Sequence, residues 1–164
     1  MSYYSLTNEL PGFNDTLPVS KTMENVVANY LIERGWGFVG RNTREDFRYD
    51  IIMKNARREY KFELKEDFAC EKYGNVAVEY ECRGKPSGIS NTEAELYFYK
   101  IHSPTGIIYH VCSVEQIKKF IEEKKYHRIA NGGDIGSNTM MYLFRLSVFL
   151  SMPKCAIIRD DRIK

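Results

Sequence analysis

The stretch YDIIMKNARREYKFELKEDFACEKYGNVAVEYE, Tyr49 to Glu81, reads as three short strands with four charged side chains on what should be one side of a sheet. In the first strand Asp50 and Ile52 share a face, opposite Tyr49, Ile51 and Met53. In the second, Tyr60, Phe62 and Leu64 oppose Lys61, Glu63 and Lys65; in the third, Val76, Val78 and Tyr80 oppose Ala77, Glu79 and Glu81. Successive side chains of a strand point to opposite faces, so this alternation is what a half-buried strand needs. If the three strands are neighbours, Asp50, Glu63, Lys65 and Glu79 converge. Three carboxylates and a lysine at that spacing are the makings of a divalent-metal site.

A charged face on an antiparallel sheet is ordinarily its solvated side. Cross-strand Glu–Lys pairs there contribute little. Composition alone favours that plainer reading; the order of the residues and their surroundings move the balance. Asp50 is followed, after twelve residues, by Glu63-Leu64-Lys65. This order resembles the PD-(D/E)XK nuclease superfamily. The next segment, GNVAVEYECRGKPSGISNTEAELYFYKI, is similar to the part beyond the ExK strand in small phage-type and Holliday-junction-resolvase-like members. The resemblance spans roughly Met23 to His110, and Tyr49 stands where the motif has its proline.

The resemblance implies an α/β fold with a restriction-endonuclease-like core, a mixed central β-sheet flanked by helices. It also implies a nuclease dependent on Mg²⁺, with Mn²⁺ as substitute. Such an ion lowers the pKa of water and neutralises charge on a phosphodiester, and it takes oxygen ligands. Asp50 and Glu63 are the expected first ligands, with the backbone carbonyl of Leu64 as a third. Glu79 would complete a second metal position or orient the attacking water. Lys65, on the face of Glu63, would activate water or stabilise transition-state charge; its plainer role is pairing with Glu63. Glu24 either complements the dipole of the first helix or faces the metal, as a first-helix carboxylate often does in the superfamily. Arg41, Arg44 and Arg48 lead into the strand of Asp50 and are expected on the phosphate backbone. Lys85 and Ser87 lie in the loop GKPSGIS, a plain turn on its own terms and a phosphate contact by the likeness.

The remaining chain sets bounds. With 164 residues it is one domain by expectation, 19–164 after an N-terminal arm, 1–18. A net charge of +2 is too small to announce a polyanion partner, so a nucleic-acid enzyme here needs its basic residues clustered. No run is apolar enough to span a membrane, and the N-terminus has no signal-peptide pattern. Cys70, Cys82, Cys112 and Cys155 lack CxxC spacing and read as reduced intracellular thiols. His110 and Cys112 share a strand face, but two ligands are too few for zinc.

A helix is expected from Ser20, as N-cap, to about Arg34, closed by Gly35. Asn55 to Arg58 turns one strand into the next, and Glu66 to Asn75 is a charged loop. Strands are expected over Glu95–His102 and Ile107–Cys112. Ser113 and Gln116 then form a capping box on a second helix. The run MMYLFRLSVFL fits strand or helix, and Lys154 to Lys164 is a charged tail.

The expected activity is DNA phosphodiester hydrolysis by a structure- or end-recognising endonuclease, in phage DNA processing or junction resolution. A homodimer would allow two strands to be cut. The expected setting is the cytoplasm of a bacterial or phage-infected cell. The alternatives are a non-catalytic nucleic-acid-binding module on the same fold, or an RNA-cleaving relative.

Overall fold

The computed structural model describes residues 19–43, 48–132, 136 and 138–159. Helix α1 (Val19–Ile32) leads to β1 (Gly37–Arg41), β2 (Ile51–Lys54) and β3 (Glu59–Asp67). A helical turn, α2 (Cys70–Tyr73), precedes β4 (Asn75–Cys82) and the two-residue β5 (Lys85–Pro86). After a 3-10 turn over Gly88–Ser90 come β6 (Leu96–Ser103), β7 (Gly106–Ser113) and α3 (Val114–Glu122). The described chain ends with β8 (Arg128–Gly132), β9 (Thr139–Arg145), α4 (Leu146–Phe149) and β10 (Ala156–Arg159).

Six strands form one sheet in the order β1-β2-β3-β6-β7-β10, and four form another in the order β5-β4-β9-β8. The β3–β6 pair is parallel and the other pairs of the large sheet are antiparallel, so the central sheet is mixed, as expected. Asn55 Oδ1 accepts from the backbone N–H groups of Arg57 and Arg58, an Asx turn that folds β2 onto β3. This pairing sets Ile51 opposite Phe62. One face of the large sheet carries Ile51, Met53, Phe62, Phe98 and Tyr109, which bury against Met23, Val27, Ala28 and Leu31 of α1. The other face, with Tyr97, Tyr99 and Ile101, packs on Val76, Val78 and Phe144 of the small sheet and on Ile117 and Phe120 of α3.

Helix α1 ends as its glycine predicts. Gly35 has φ +91°, and its N–H reaches Ile32 while that of Trp36 reaches Leu31. It begins at Val19, however, so Ser20 lies inside it rather than at its cap. At α3 Ser113 Oγ accepts from Gln116 N–H at 3.1 Å, half of the expected capping box; among the described residues Gln116 Oε1 has no hydrogen-bond partner.

The main correction concerns β4. It was expected beside β3 but belongs to the small sheet, because β6 occupies that flank of β3. Strand β3 runs on to Asp67, and α2 then turns the chain out of the sheet, where a charged loop was expected. Asp67 is buried and holds this corner. Its Oδ1 accepts from Cys70 N–H and its Oδ2 from Ala77 N–H. The carbonyl of Ala77 accepts from Tyr99 Oη at 3.2 Å. Both backbone groups of one β4 residue are thus tied to side chains of the large sheet, which sets the two sheets relative to each other. The apolar run resolves into β9 followed by α4, and part of the expected tail is β10, paired with β7. The N-terminal arm lies outside the described residues.

Candidate metal centre

Asp50 sits one residue before β2, where the ladder is already formed: its N–H donates to Phe62 and its carbonyl accepts from Asn42. Asp50 lies just before the Ile51–Phe62 pair, with its N–H on the Phe62 carbonyl, and is close enough to Glu63 for its charge to act there. Both lie on the face turned away from α1, since alternate residues share a face. Leu64 N–H donates to Asp50 Oδ2 at 2.6 Å and fixes that carboxylate. Lys65 comes next on the same face, with Nζ 2.7 Å from Glu63 Oε1. Glu63 is 7% exposed, and among the described residues its Oε2 has no hydrogen-bond partner.

Glu79 reaches the same place from the other sheet. It is close enough for its charge to act on both Glu63 and Lys65. Ser87 Oγ donates to Glu79 Oε1. The loop can come this close because residue 88 is glycine, with φ +52°. A Cβ there would collide with the carbonyl of Glu79 and lie 3.1 Å from its Cβ. Gly88→Ala should therefore cost about 1–3 kcal/mol in urea unfolding, through left-handed strain and that collision. An unchanged urea midpoint would mean that the loop is not set by this contact.

The electrostatics follow from crowding. Burial raises the Asp50 pKa, against the lowering effects of Leu64 N–H and Lys65. Burial also raises that of Glu63; Lys65 opposes it, and Asp50 and Glu79 add to it. Burial alone would lower the Lys65 pKa, but Glu63, Asp50 and Glu79 together hold it above its usual value. Glu63 and Lys65 therefore each sense the other and both Asp50 and Glu79, although only three of the four come from one sheet. Sequence reasoning missed Tyr97, which pairs with Glu63 in the parallel β3–β6 register. Its pKa is driven up by burial, then by Glu63, so the phenol stays protonated beside the carboxylates. The signal was the alternation of Tyr97 and Tyr99, unusable until β6 was known to lie beside β3.

The raised carboxylate pKa values carry a stability consequence. The metal-free folded chain keeps protons on Asp50 and Glu63 to higher pH than the unfolded chain does. Stability from this source is therefore present at low pH and is lost as pH rises above the ordinary carboxylate range, about 4. Asp50→Asn keeps an acceptor for Leu64 N–H and removes one charge. It should raise the metal-free melting midpoint at neutral pH and flatten its decline with pH, read by thermal unfolding in EDTA. A lower midpoint with an unchanged slope would refute this.

The other expected residues are more scattered. Leu64 is two residues beyond Phe62, whose carbonyl faces β2, so its own carbonyl faces the same side near Asp50. Glu24 is on α1, which packs on the opposite face of the large sheet; the four-residue cluster forms without it. Arg41 ends β1 and is half-buried, while Arg48 is exposed and its carbonyl accepts from Glu93 N–H and Thr92 Oγ1. Arg44 lies outside the described residues. Lys85 is exposed in β5, and Ser87 holds Glu79.

No family model matches the chain, and no curated protein does. Among solved structures the chain is similar to "The structure of a bacterial homing endonuclease: I-Ssp6803I", at 17% identity and a TM-score of 0.39, over 60% of this chain and 71% of that one. A likeness so distant bears on neither fold nor function.

Proposed function

We propose that the protein is a Mg²⁺- or Mn²⁺-dependent nuclease of the PD-(D/E)XK type that hydrolyses DNA phosphodiester bonds. The observation that carries this reading is the meeting of Asp50, Glu63, Lys65 and Glu79 across two sheets. A solvated sheet face would leave these groups in water; Glu63 is instead buried, and among the described residues its Oε2 has no partner. Three carboxylates against one ammonium leave two negative charges, which suits a hard divalent ion.

Asp50 and Glu63 would hold the ion, with the Leu64 carbonyl beside them and Glu79 completing the acidic wall. When bound, the ion neutralises charge on the phosphate and makes water a better nucleophile. Leu64 N–H keeps Asp50 in place, and Ser87 keeps Glu79 in place. Lys65, next to Glu63, orients the attacking water and stabilises charge on the phosphoryl oxygens. Arg41, Arg48 and Lys85 supply phosphate-backbone contacts, and Arg44 joins them by its place in the sequence.

The test is incubation with supercoiled, linear, single-stranded and four-way-junction DNA, and with RNA, in Mg²⁺, Mn²⁺ or EDTA. Metal-dependent nicking of circles is expected, with no cleavage in EDTA. In calorimetric titration, Asp50→Asn combined with Glu63→Gln should remove Mn²⁺ binding. Unchanged affinity and stoichiometry would sink the metal assignment; DNA binding without cleavage would favour a binding module, and cleavage of RNA alone an RNA-cleaving enzyme.

A further inference from the structure

A second group of ligating side chains lies on the same face of the large sheet, further along it. His110 and Cys112 stand two apart on β7. Strand β10 pairs antiparallel with β7, with Ala156 opposite Val111, so Cys155 falls opposite Cys112. The ligand atoms of all three residues lie within 4.8 Å of one another. His110 is fully buried, with Phe149 against its ring at 4.8 Å. Among the described residues neither ring nitrogen of His110 has a hydrogen-bond partner. An imidazole always carries a donor or an acceptor on each nitrogen, and a buried one is normally satisfied. Cys112 is buried too, and Cys155 is half-buried, with its Sγ 3.4 Å from the carbonyl of Pro153.

We propose that His110, Cys112 and Cys155 bind a zinc ion that clamps the edge strand β10 to β7. Two thiolates and a neutral imidazole are a soft donor set, which selects thiophilic ions over Mg²⁺ or Mn²⁺. Their charge of minus two is cancelled by Zn²⁺, whereas Cu⁺ would leave a net charge in an apolar surrounding. Zinc binds sulfur at about 2.3 Å and imidazole at about 2.0–2.1 Å, so tetrahedral ligands sit roughly 3.6–3.8 Å apart. With all donors already within 4.8 Å of one another, a closure of at most about 1 Å brings them to that spacing. Cys155 and the Pro153 carbonyl stand on the outer side of the group, where a fourth ligand, that carbonyl or a water, completes the shell. The ion deprotonates each thiol that it binds, releasing two protons to solvent, and no electron is transferred. This centre is independent of the nuclease reading, because it shares no residue with it.

The experiment uses the full chain, reduced, stripped with chelator, incubated with Zn²⁺ and gel-filtered. One zinc per chain should remain by elemental analysis. Asp50→Asn should retain it and Cys155→Ser should lose it. Cys155 is only half-buried, which makes this the mildest of the three replacements. In the wild-type chain, zinc should slow alkylation of Cys112 and Cys155 at least tenfold by peptide mass spectrometry, with Cys82 as the unprotected reference. Co²⁺ in place of zinc should give the thiolate charge-transfer and visible bands of a tetrahedral site. The proposal is overturned if zinc is not retained, if Cys155→Ser retains it equally, or if alkylation is unaffected. Preferential retention of Cu⁺ would overturn the choice of zinc.

Discussion

Lys65→Met should lower single-turnover cleavage by roughly 10²–10⁴-fold, the range expected for removing a positioned acid–base or electrostatic group. The side chain is about a third exposed, at 36%, and its closest partner is Glu63. Methionine keeps most of the stem, so packing changes little. On the proposed reading DNA binding should stay nearly intact, because the residues assigned to the phosphate backbone lie elsewhere. Without metal the variant leaves Asp50, Glu63 and Glu79 with no local cation, so its melting behaviour must be compared with Mn²⁺ bound. Under those conditions the midpoint should remain close to that of the wild type. Saturating enzyme removes binding from the measured rate. A variant cleaving within a few-fold of wild type would take Lys65 out of the mechanism and leave it a salt-bridge partner.

Phe144→Ala should destabilise the protein by about 3–5 kcal/mol, the usual cost of emptying a fully buried aromatic site. Phe144 has no exposed surface and lies in the core between the two sheets. Its ring meets Phe149 at 5.9 Å and Tyr126 at 6.4 Å, both edge to face, and its cross-strand partner is Val76. Strand β9 and the corner at α4 hold this position from two directions, so the gap should collapse poorly. Equilibrium unfolding in urea reads the loss directly, provided the slope with denaturant is unchanged. A loss below about 1 kcal/mol would mean that the layer between the sheets relaxes to fill the gap.

The hairpin from Ile51 to Asp67 was legible because its signals are local: period-two alternation and an Asn turn that caps itself. The convergence of Asp50, Glu63 and Lys65 followed from that alone. Glu79 was placed in the right neighbourhood for a wrong reason. Alternation says which residues share a face, not which strand lies alongside; the neighbour of β3 comes from Leu96–Ser103, and β4 faces it from another layer. The alternation of β4 itself breaks at Tyr80, where Glu79 and Glu81 oppose the adjacent residues Met141 and Met140. Such a bulge leaves no trace in hydrophobic period. Of the group His110, Cys112 and Cys155 only the first two were seen, because Cys155 lies just before β10 in a stretch read as tail. Arg145 ending β9 next to Leu146 was equally opaque, since an apolar run alone does not separate strand from helix.

The pairing of β4 with β9, Cys82 to Thr139 and Asn75 to Arg145, also sets an order of assembly. Asp50 and Glu63 meet through a short hairpin, whose closure costs little chain entropy and occurs on the timescale of local contacts. Most of β4, Glu79 included, pairs with a strand more than fifty residues away, a contact of the slow, non-local kind. A refolding chain therefore acquires the two carboxylates nearest Lys65 before the third. In the interval it carries two acidic groups against one lysine and, on the proposed reading, has less hold on a divalent ion. Full affinity for the ion should appear with the last phase of refolding rather than with the first, making the metal a reporter of when the second sheet closes on the first.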